Sequence, residues 1–373
     1  MATKNHMRIT YDYQIFSKQR YGGISRYFHE IASIIPSIDG DYVEIFAPLY
    51  VNEYIGSSKA TAVNGTKFSP NKFTKLAVKF VNVSVTCLRN RTKRNTDIFH
   101  ETYYSMLDCA PRSAKRVITV YDMIHERFPD LFSRYDVTHR AKRSALQRAD
   151  HIICISENTR HDLIEATNIP IEKTSVVHLG YSLITNPRSS PSLVPEAPYL
   201  LYVGARGGYK NFEGLLEAYS RSNLHAEFSL VCFGGGSVTS RESSLIHSLG
   251  IKPGKVVFLS GCDSLLSSLY VSASAFVYPS KYEGFGIPPL EAMSFGCPVV
   301  CSNTSSMPEV VGDAAELFDP HDPEGLREAL EQVLSSPDRL RQLAALGHER
   351  IKLFSWEKCA RETLDAYKHI LQS

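Results

Sequence analysis

The segment Tyr282-Glu283-Gly284-Phe285-Gly286-Ile287-Pro288-Pro289-Leu290-Glu291 sets two glutamates, separated by seven residues, on either side of a glycine loop that leads into a helix. Pro288 and Pro289 suit a first helical turn, whose N–H groups have no intrahelical acceptor. The amides of Ile287, Leu290 and Glu291 then lie at the positive end of the helix dipole, where a diphosphate is stabilised. Carboxylates only accept hydrogen bonds, and neighbouring ribose or sugar hydroxyls supply paired donors. Glu291 in the first turn and Glu283 on the loop, with Gly284, Phe285 and Gly286 between them, therefore suit the two ends of a sugar nucleotide. Taken alone, the glutamates read as a helix cap and a surface charge. The Gly-Phe-Gly loop and the double proline favour a site.

Tyr202-Val203-Gly204-Ala205-Arg206-Gly207-Gly208-Tyr209-Lys210-Asn211 supplies two cations after a strand-like run. Arg206 and Lys210 are placed to neutralise a diphosphate, whose charge grows as the glycosidic bond breaks. Tyr21-Gly22-Gly23-Ile24-Ser25 lets the backbone approach a ligand, although a glycine pair is also an ordinary tight turn. Gly234, Gly261 and Cys262 follow later strand-like runs and are further nucleotide-pocket candidates, with simple turns as the other reading. Neither half has the full G-x-G-x-x-G of a dinucleotide site, which disfavours a dehydrogenase. Asp39-Gly40-Asp41 matches a metal-binding D-x-D literally, but its composition is that of a turn before a strand.

Strand-like runs alternate with helical patterns along the whole chain, as in parallel sheets covered on both faces. The first series falls at 7–11, 42–46, 98–100, 116–121, 151–155 and 175–178; the second at 199–203, 228–233, 256–259, 275–278, 298–301 and 315–318. The expected fold is α/β: two Rossmann-like, doubly wound domains facing across a cleft. Residues 1–185 form the first domain, the Pro/Ser-rich stretch 186–198 a linker, and 199–355 the donor-binding domain. Ile24, Tyr27, Phe28, Ile31, Ala32 and Ile35 have helical spacing, as do Trp356, Ala360, Thr363, Leu364, Tyr367 and Leu371.

With 373 residues and a net charge of +2, the chain is long enough for two cores and too nearly neutral to argue for nucleic acid. No apolar run reaches the roughly 18 residues of a membrane span, and the first residues lack the apolar core of a secretory signal, so a cytoplasmic protein is expected. The eight cysteines are scattered, which favours buried thiols over disulfides or zinc. From Thr66 to Thr96 there are eight basic residues and no acidic one, interleaved with Phe73, Leu76, Phe80, Val81, Val85 and Leu88. This stretch reads either as a solvated basic face over a core helix or as peripheral contact with anionic lipid at the inner face of the cytoplasmic membrane.

Taken together, the Glu283–Glu291 segment, the Gly204–Asn211 turn, Ser280-Lys281-Tyr282, and the run Ala292-Met293-Ser294-Phe295-Gly296-Cys297-Pro298-Val299-Val300 resemble the retaining glycosyltransferases of family 4, which have the GT-B fold. The resemblance covers nearly the whole chain and is more specific in its second half. It implies a nucleoside-diphosphate sugar as donor, a glycan or lipid-linked acceptor, no cofactor and no metal ion. Helix 356–373 is implied to return to the first domain, and Gly22 and Gly23 to face donor phosphate and acceptor. The family often carries His-Asp where this chain has Tyr121-Asp122, so Asp122, His125 and Glu283 are the implied catalytic residues, with His125 standing in for the missing histidine or binding acceptor. His100 and Tyr103 are acceptor-side candidates. Val120–Pro129 and Gly204–Asn211 look most like bacterial enzymes adding mannose or a 6-deoxy sugar to surface polysaccharides such as O-antigen, which implies GDP-mannose or a related GDP-sugar. A UDP-sugar, a phosphorylase or epimerase reaction, and a non-catalytic sugar-nucleotide-binding subunit are the alternatives.

Overall fold

The computed structural model describes residues 6–57, 62–69, 71, 74–92, 95–182 and 193–372. The chain divides into two compact units, Met1–Gly180 with Trp356–Ser373, and Tyr181–Ser355. Most of the expected linker, 186–192, lies outside the described residues, as do Lys72, Phe73, Lys93 and Arg94 of the basic stretch.

Unit 1 holds a seven-stranded sheet. Its strands are β1 (Arg8–Tyr11), β2 (Tyr42–Tyr50), β3 (Ala62–Lys67), β4 (Ile98–Glu101), β5 (Lys115–Val120), β6 (His151–Cys154) and β7 (Thr174–Val176). All neighbours pair in parallel in the order β3-β2-β1-β4-β5-β6-β7, so the winding reverses between β1 and β4. β3 is absent from the sequence-derived series. Its residues Ala-Val-Asn-Gly-Thr-Lys are mostly exposed, and an edge strand without an apolar face leaves no periodicity to read.

Unit 2 repeats the plan with six parallel strands, β8 (Tyr199–Val203), β9 (Ser229–Phe233), β10 (Val256–Leu259), β11 (Ala275–Tyr278), β12 (Val299–Ser302) and β13 (Ala315–Phe318). Their order is β10-β9-β8-β11-β12-β13, with the reversal between β8 and β11. A core of Leu200, Tyr202, Phe212, Leu216, Val277 and Leu330 joins the sheet to its helices. Both sheets thus have the switch point at which doubly wound folds bind ligands, beyond the carboxyl ends of two adjacent strands.

Helix Trp356–Gln372 packs on helix Gly23–Asp39 in unit 1. Its Tyr367 hydroxyl meets Tyr11 Oη at 3.2 Å and His100 Nδ1 at 2.5 Å, and Lys368 pairs with Asp39. The Asp39-Gly40-Asp41 segment is a helix end leading into β2: Asp39 closes helix Gly23–Asp39, Gly40 is its left-handed C-cap, and Asp41 Oδ1 accepts the Met7 amide at 2.8 Å.

The cysteine expectation needs one correction. Cys87, on helix Lys75–Thr92, and Cys109, in the segment after β4, form a disulfide, while Cys154, Cys232, Cys262, Cys297, Cys301 and Cys359 are free. Packing brings the two α-carbons to 4.7 Å. Nothing in their 22-residue separation announces this. Among the described residues, no helix is long and apolar enough to cross a membrane.

Candidate active site

In unit 2 the loops that follow β8 and β11 meet because those strands are neighbours. After β8 the chain makes a tight helical turn at Gly208–Lys210 and passes through Asn211, which is left-handed and whose amide side chain donates to Pro320 O at 2.9 Å. After β11 the Lys281 amide donates to Tyr209 O at 2.7 Å, binding the two loops together. Lys210 Nζ then reaches Glu283 Oε1 at 2.6 Å, with 17% and 10% of the two side chains exposed.

The Glu283 loop is braced from below. The Glu283 amide donates to Ser305 Oγ at 2.9 Å, and Ser306 Oγ donates to the carbonyls of Glu283 and Phe285, both at 3.0 Å. Ser305 and Ser306 were not singled out from sequence, and a Ser-Ser pair ahead of a Met-Pro helix start carries only a weak signal. Phe285 is buried against Phe354, with ring centroids 5.6 Å apart. Gly284 is also buried. Gly286 caps helix Ile287–Ser294 at φ +100°, where a side chain is strained, and a Cβ there would fall 2.3 Å from Met307 Cε, which would have to shift.

Pro288 and Pro289 occupy the first helical turn, as expected. Ile287 is half-buried and Leu290 fully buried, so the Leu290 side chain belongs to the core. Glu291 lies at the edge of burial, beside Tyr270. Burial first and the Glu291 carboxylate next hold the Tyr270 hydroxyl well above its usual range; burial and Glu283 do the same for Tyr278. Both phenols therefore stay neutral. The site offers two carboxylates for hydroxyl donors and one ammonium for a phosphate, all on elements fixed by the sheet.

Arg206 corrects the expected pair of cations. Its guanidinium is buried and committed to Glu242 Oε1 (2.6 Å), Gly234 O (2.7 Å), Gly236 O (3.1 Å) and Ser237 O (3.0 Å). It shapes the turn after β9, where a Cβ on Gly235 would meet Arg206 Nη1 at 2.7 Å. An interior arginine bound by one carboxylate and three carbonyls has four of its five N–H donors engaged within the turn, and Lys210 is the cation that reaches Glu283. Gly234 is half-buried in the same turn; Gly261 and Cys262 are exposed at the start of helix Asp263–Ser272. Hydrogen bonding from the Ser264 hydroxyl and local amides lowers the Cys262 thiol below its ordinary value.

In unit 1 the expected residues fare unevenly. Gly22 caps helix Gly23–Asp39, and a Cβ on it would strike the Gln19 side chain at 2.4 Å; Gly23 has open space. Asp122 Oδ1 accepts the Ile124 amide at 3.1 Å, and Lys142 Nζ donates to its carbonyl at 3.0 Å, so Asp122 orders its own loop. His125 stacks on Phe132 at 3.9 Å, with Nε2 3.6 Å from Asp136 Oδ2. Tyr121, which stands where the family often has histidine, is buried, and its hydroxyl donates to Thr102 O at 3.1 Å. Tyr103 is half-buried beneath Lys18, whose Nζ lies 3.9 Å from the ring centre.

His100 is a second correction. It is wholly buried, with its ring nitrogens on Tyr367 Oη and on Thr119 Oγ1 at 2.9 Å, and burial pushes it down to about 3. It is a neutral core residue, not an acceptor ligand. Sequence reading missed Asp12, which is buried at the end of β1 and accepts from the Thr102 amide (2.9 Å), Thr102 Oγ1 (2.6 Å) and Gln14 Nε2 (2.7 Å). Among the described residues, no group of three or more His, Cys, Asp or Glu is placed to hold a metal ion.

Comparison with known proteins identifies the family. A family model described as "Glycosyltransferase Family 4" matches residues 21–183, and one described as "Glycosyl transferases group 1" matches 185–350. O-antigen chain mannosyltransferase B of Escherichia coli is 35% identical over 272 residues, covering 69% of this chain and 71% of that protein. The serotype-specific mannosyltransferase WbdA of Escherichia coli is 30% identical over 248 residues, 62% of this chain, and the match spans only 30% of that longer protein. Sucrose-phosphate synthase of Thermosynechococcus elongatus superimposes with a TM-score of 0.76 over 98% of this chain and 100% of its own, at 19% identity, a likeness of fold. The chain therefore belongs to the family 4, group 1 glycosyltransferases, enzymes of the GT-B fold.

Proposed function

We propose that the chain is a retaining mannosyltransferase, taking mannose from GDP-mannose and adding it to a lipid-linked, O-antigen-type glycan. The observation that carries this reading is the Lys210–Glu283 contact at 2.6 Å over the switch point of unit 2, with Glu291 following in the first turn of the adjoining helix. Lys210 turns from Glu283 to the donor diphosphate, Glu283 and the Gly284–Gly286 backbone orient the mannose hydroxyls, and Glu291 holds the ribose. The mannosyl C1–O bond breaks, and the acceptor oxygen bonds to C1 from the same face. Its proton passes to the departing β-phosphate, so GDP leaves and the anomeric configuration is kept. Lys210 stabilises the charge developing on the diphosphate, the electrostatic task a metal ion performs in other transferases, so activity persists in a chelator.

Mannosyltransferases among the relatives support the choice of sugar. A membrane-bound acceptor is supported by helix Lys75–Thr92, which exposes Leu76, Phe80 and Leu88 within the basic stretch; on this reading the helix rests peripherally on anionic lipid at the inner face of the cytoplasmic membrane. The test is a thermal-shift panel of GDP, UDP, ADP and their sugars, then transfer with the best donor and NMR assignment of the product anomer. GDP-mannose giving the largest shift and an α-linked product supports the reading. A UDP-sugar preference overturns the donor, and a β-linked product overturns retention.

A further inference from the structure

The rim of unit 1 carries an open aromatic ring on a rigid mount. Tyr21 immediately precedes Gly22 and Gly23 and is 61% exposed, whereas Tyr27 and Phe28 in the helix that follows are buried. Its ring meets that of Tyr54 nearly at right angles, with centroids 5.6 Å apart, and Tyr54 in turn stacks on His29 at 6.0 Å. The mount is Asn52, wholly buried between two segments of chain. Its Nδ2 donates to the carbonyls of Gln19 (2.9 Å) and Arg20 (3.3 Å), and its Oδ1 accepts the amides of Tyr54 (3.1 Å) and Ile55 (3.3 Å). The Glu53 amide adds a bond to Arg20 O at 3.0 Å. These segments follow β1 and β2, which are neighbours, so the ring stands at the carboxyl ends of the strands, where doubly wound folds bind ligands.

Polar groups frame the ring. Arg20 Nε pairs with Glu53 Oε1 at 2.9 Å, its guanidinium carbon lies 5.9 Å from the Tyr21 ring centre, and Lys67 Nζ takes Glu53 Oε2 at 2.5 Å. Each oxygen of this carboxylate already holds a cation, so the patch is no vacant trap for a phosphate. A guanidinium has five donors and a carboxylate about four acceptor positions, so both can still meet hydroxyls. An open aromatic face bordered by such groups matches a pyranose, which has a C–H face and hydroxyls around its edge. A purely apolar partner would instead strip water from the ion pairs. Tyrosine also offers this contact area at a low cost in side-chain entropy.

We propose that Tyr21 is the stacking platform for a sugar unit of the acceptor glycan, with Arg20 and Glu53 binding that unit's hydroxyls. The inference rests on the glycan-acceptor reading and deepens it by naming a subsite on unit 1. Tyr21 adjoins the Gly22–Gly23 loop expected to face the acceptor, so the sugar is one of the acceptor's own.

Saturation-transfer NMR titration of the full chain with α-linked mannotriose tests the assignment. The parent is expected to bind the trisaccharide, and Tyr21→Ala to weaken that binding by about 5- to 20-fold. Tyr21→Phe, which keeps the ring, changes it less than about twofold, as does Tyr42→Ala, an exposed tyrosine at the amino end of β2. GDP-mannose affinity, measured on the same samples, stays within about twofold of the parent in all three variants. Parent-like affinity in Tyr21→Ala, an equal loss in Tyr21→Phe, or a parent that ignores the trisaccharide overturns the platform. Loss of GDP-mannose binding in Tyr21→Ala moves Tyr21 to the donor and overturns the acceptor assignment. A parent that binds the trisaccharide through Tyr21 but takes no GDP-mannose refutes the donor reading alone and supports the platform.

Discussion

The two units place a switch point in the same way and fill it with different chemistry. In unit 2 the loops after β8 and β11 hold Lys210 against Glu283 near the surface, on a frame of backbone and serine hydrogen bonds. In unit 1 the ends of β1 and β4 are also neighbours, yet they hold Asp12 against Thr102 in the interior, with His100 locked to the returning helix. One switch point keeps charged groups available to a ligand. The other uses polar groups to fix the strand ends. Equivalent positions in two copies of a fold therefore need not share a role, and function is read from the side chains present.

Within unit 2 the sharpest contrast is between Arg206 and Lys210, four residues apart. Arg206→Ala takes the guanidinium from Glu242, which keeps only its Thr239 partners, and from three carbonyls, and costs about 3–5 kcal/mol of stability. Chemical denaturation measures it. A loss of turnover with stability unchanged would instead put Arg206 in the donor site. Lys210→Ala is expected to lower kcat by about 10²–10³-fold while the fold survives, the scale of losing one preorganised group at a developing charge. Steady-state kinetics with GDP-mannose decide, and a kcat within a few-fold of the parent removes Lys210 from the chemistry. Glu291→Ala, losing hydrogen bonds from a charged acceptor, raises the donor KM by about 10- to 100-fold with a smaller change in kcat. Gly286→Ala forces a side chain into φ +100° against Met307 and costs about 1–3 kcal/mol, read as a lowered Tm together with weaker donor binding.

In unit 1 the expected effect is on pH dependence. His100, with its pKa depressed to about 3, is neutral in the folded protein, while the unfolded chain protonates near the ordinary value of 6.5. Its contribution is complete above that value and is lost as pH falls towards 3, by about 1.4 kcal/mol per unit. His100→Asn removes this titration. The stability difference between parent and variant should narrow between pH 6.5 and pH 4, and a constant difference would mean that His100 is charged or exposed.

The glycine loop and helix start of unit 2 were legible because their requirements are local. A helix that starts on Pro288-Pro289, a glycine that must be left-handed and two glutamates at fixed spacing lie within ten residues of one another. Both sheets were readable for a similar reason, since buried parallel strands are continuous apolar runs; β3, at an edge and polar, was not. What sequence failed to show depends on distant partners. Arg206 looks like a site cation until Glu242 and the 234–237 carbonyls close on it, and His100 looks like a strand-end ligand until Tyr367, more than 260 residues away, takes its nitrogen. The Cys87–Cys109 bond and the exposure of Leu76, Phe80 and Leu88 on helix Lys75–Thr92 likewise arise only when that helix meets the sheet.

The most direct test is a crystal structure with GDP-mannose bound. Lys210 Nζ is expected to leave Glu283 and lie within hydrogen-bond distance of the diphosphate, with Glu283 on the mannose, Glu291 on the ribose and Arg206 still buried against Glu242. A bound donor that leaves the Lys210–Glu283 pair intact, or that sits away from both glutamates, would contradict it.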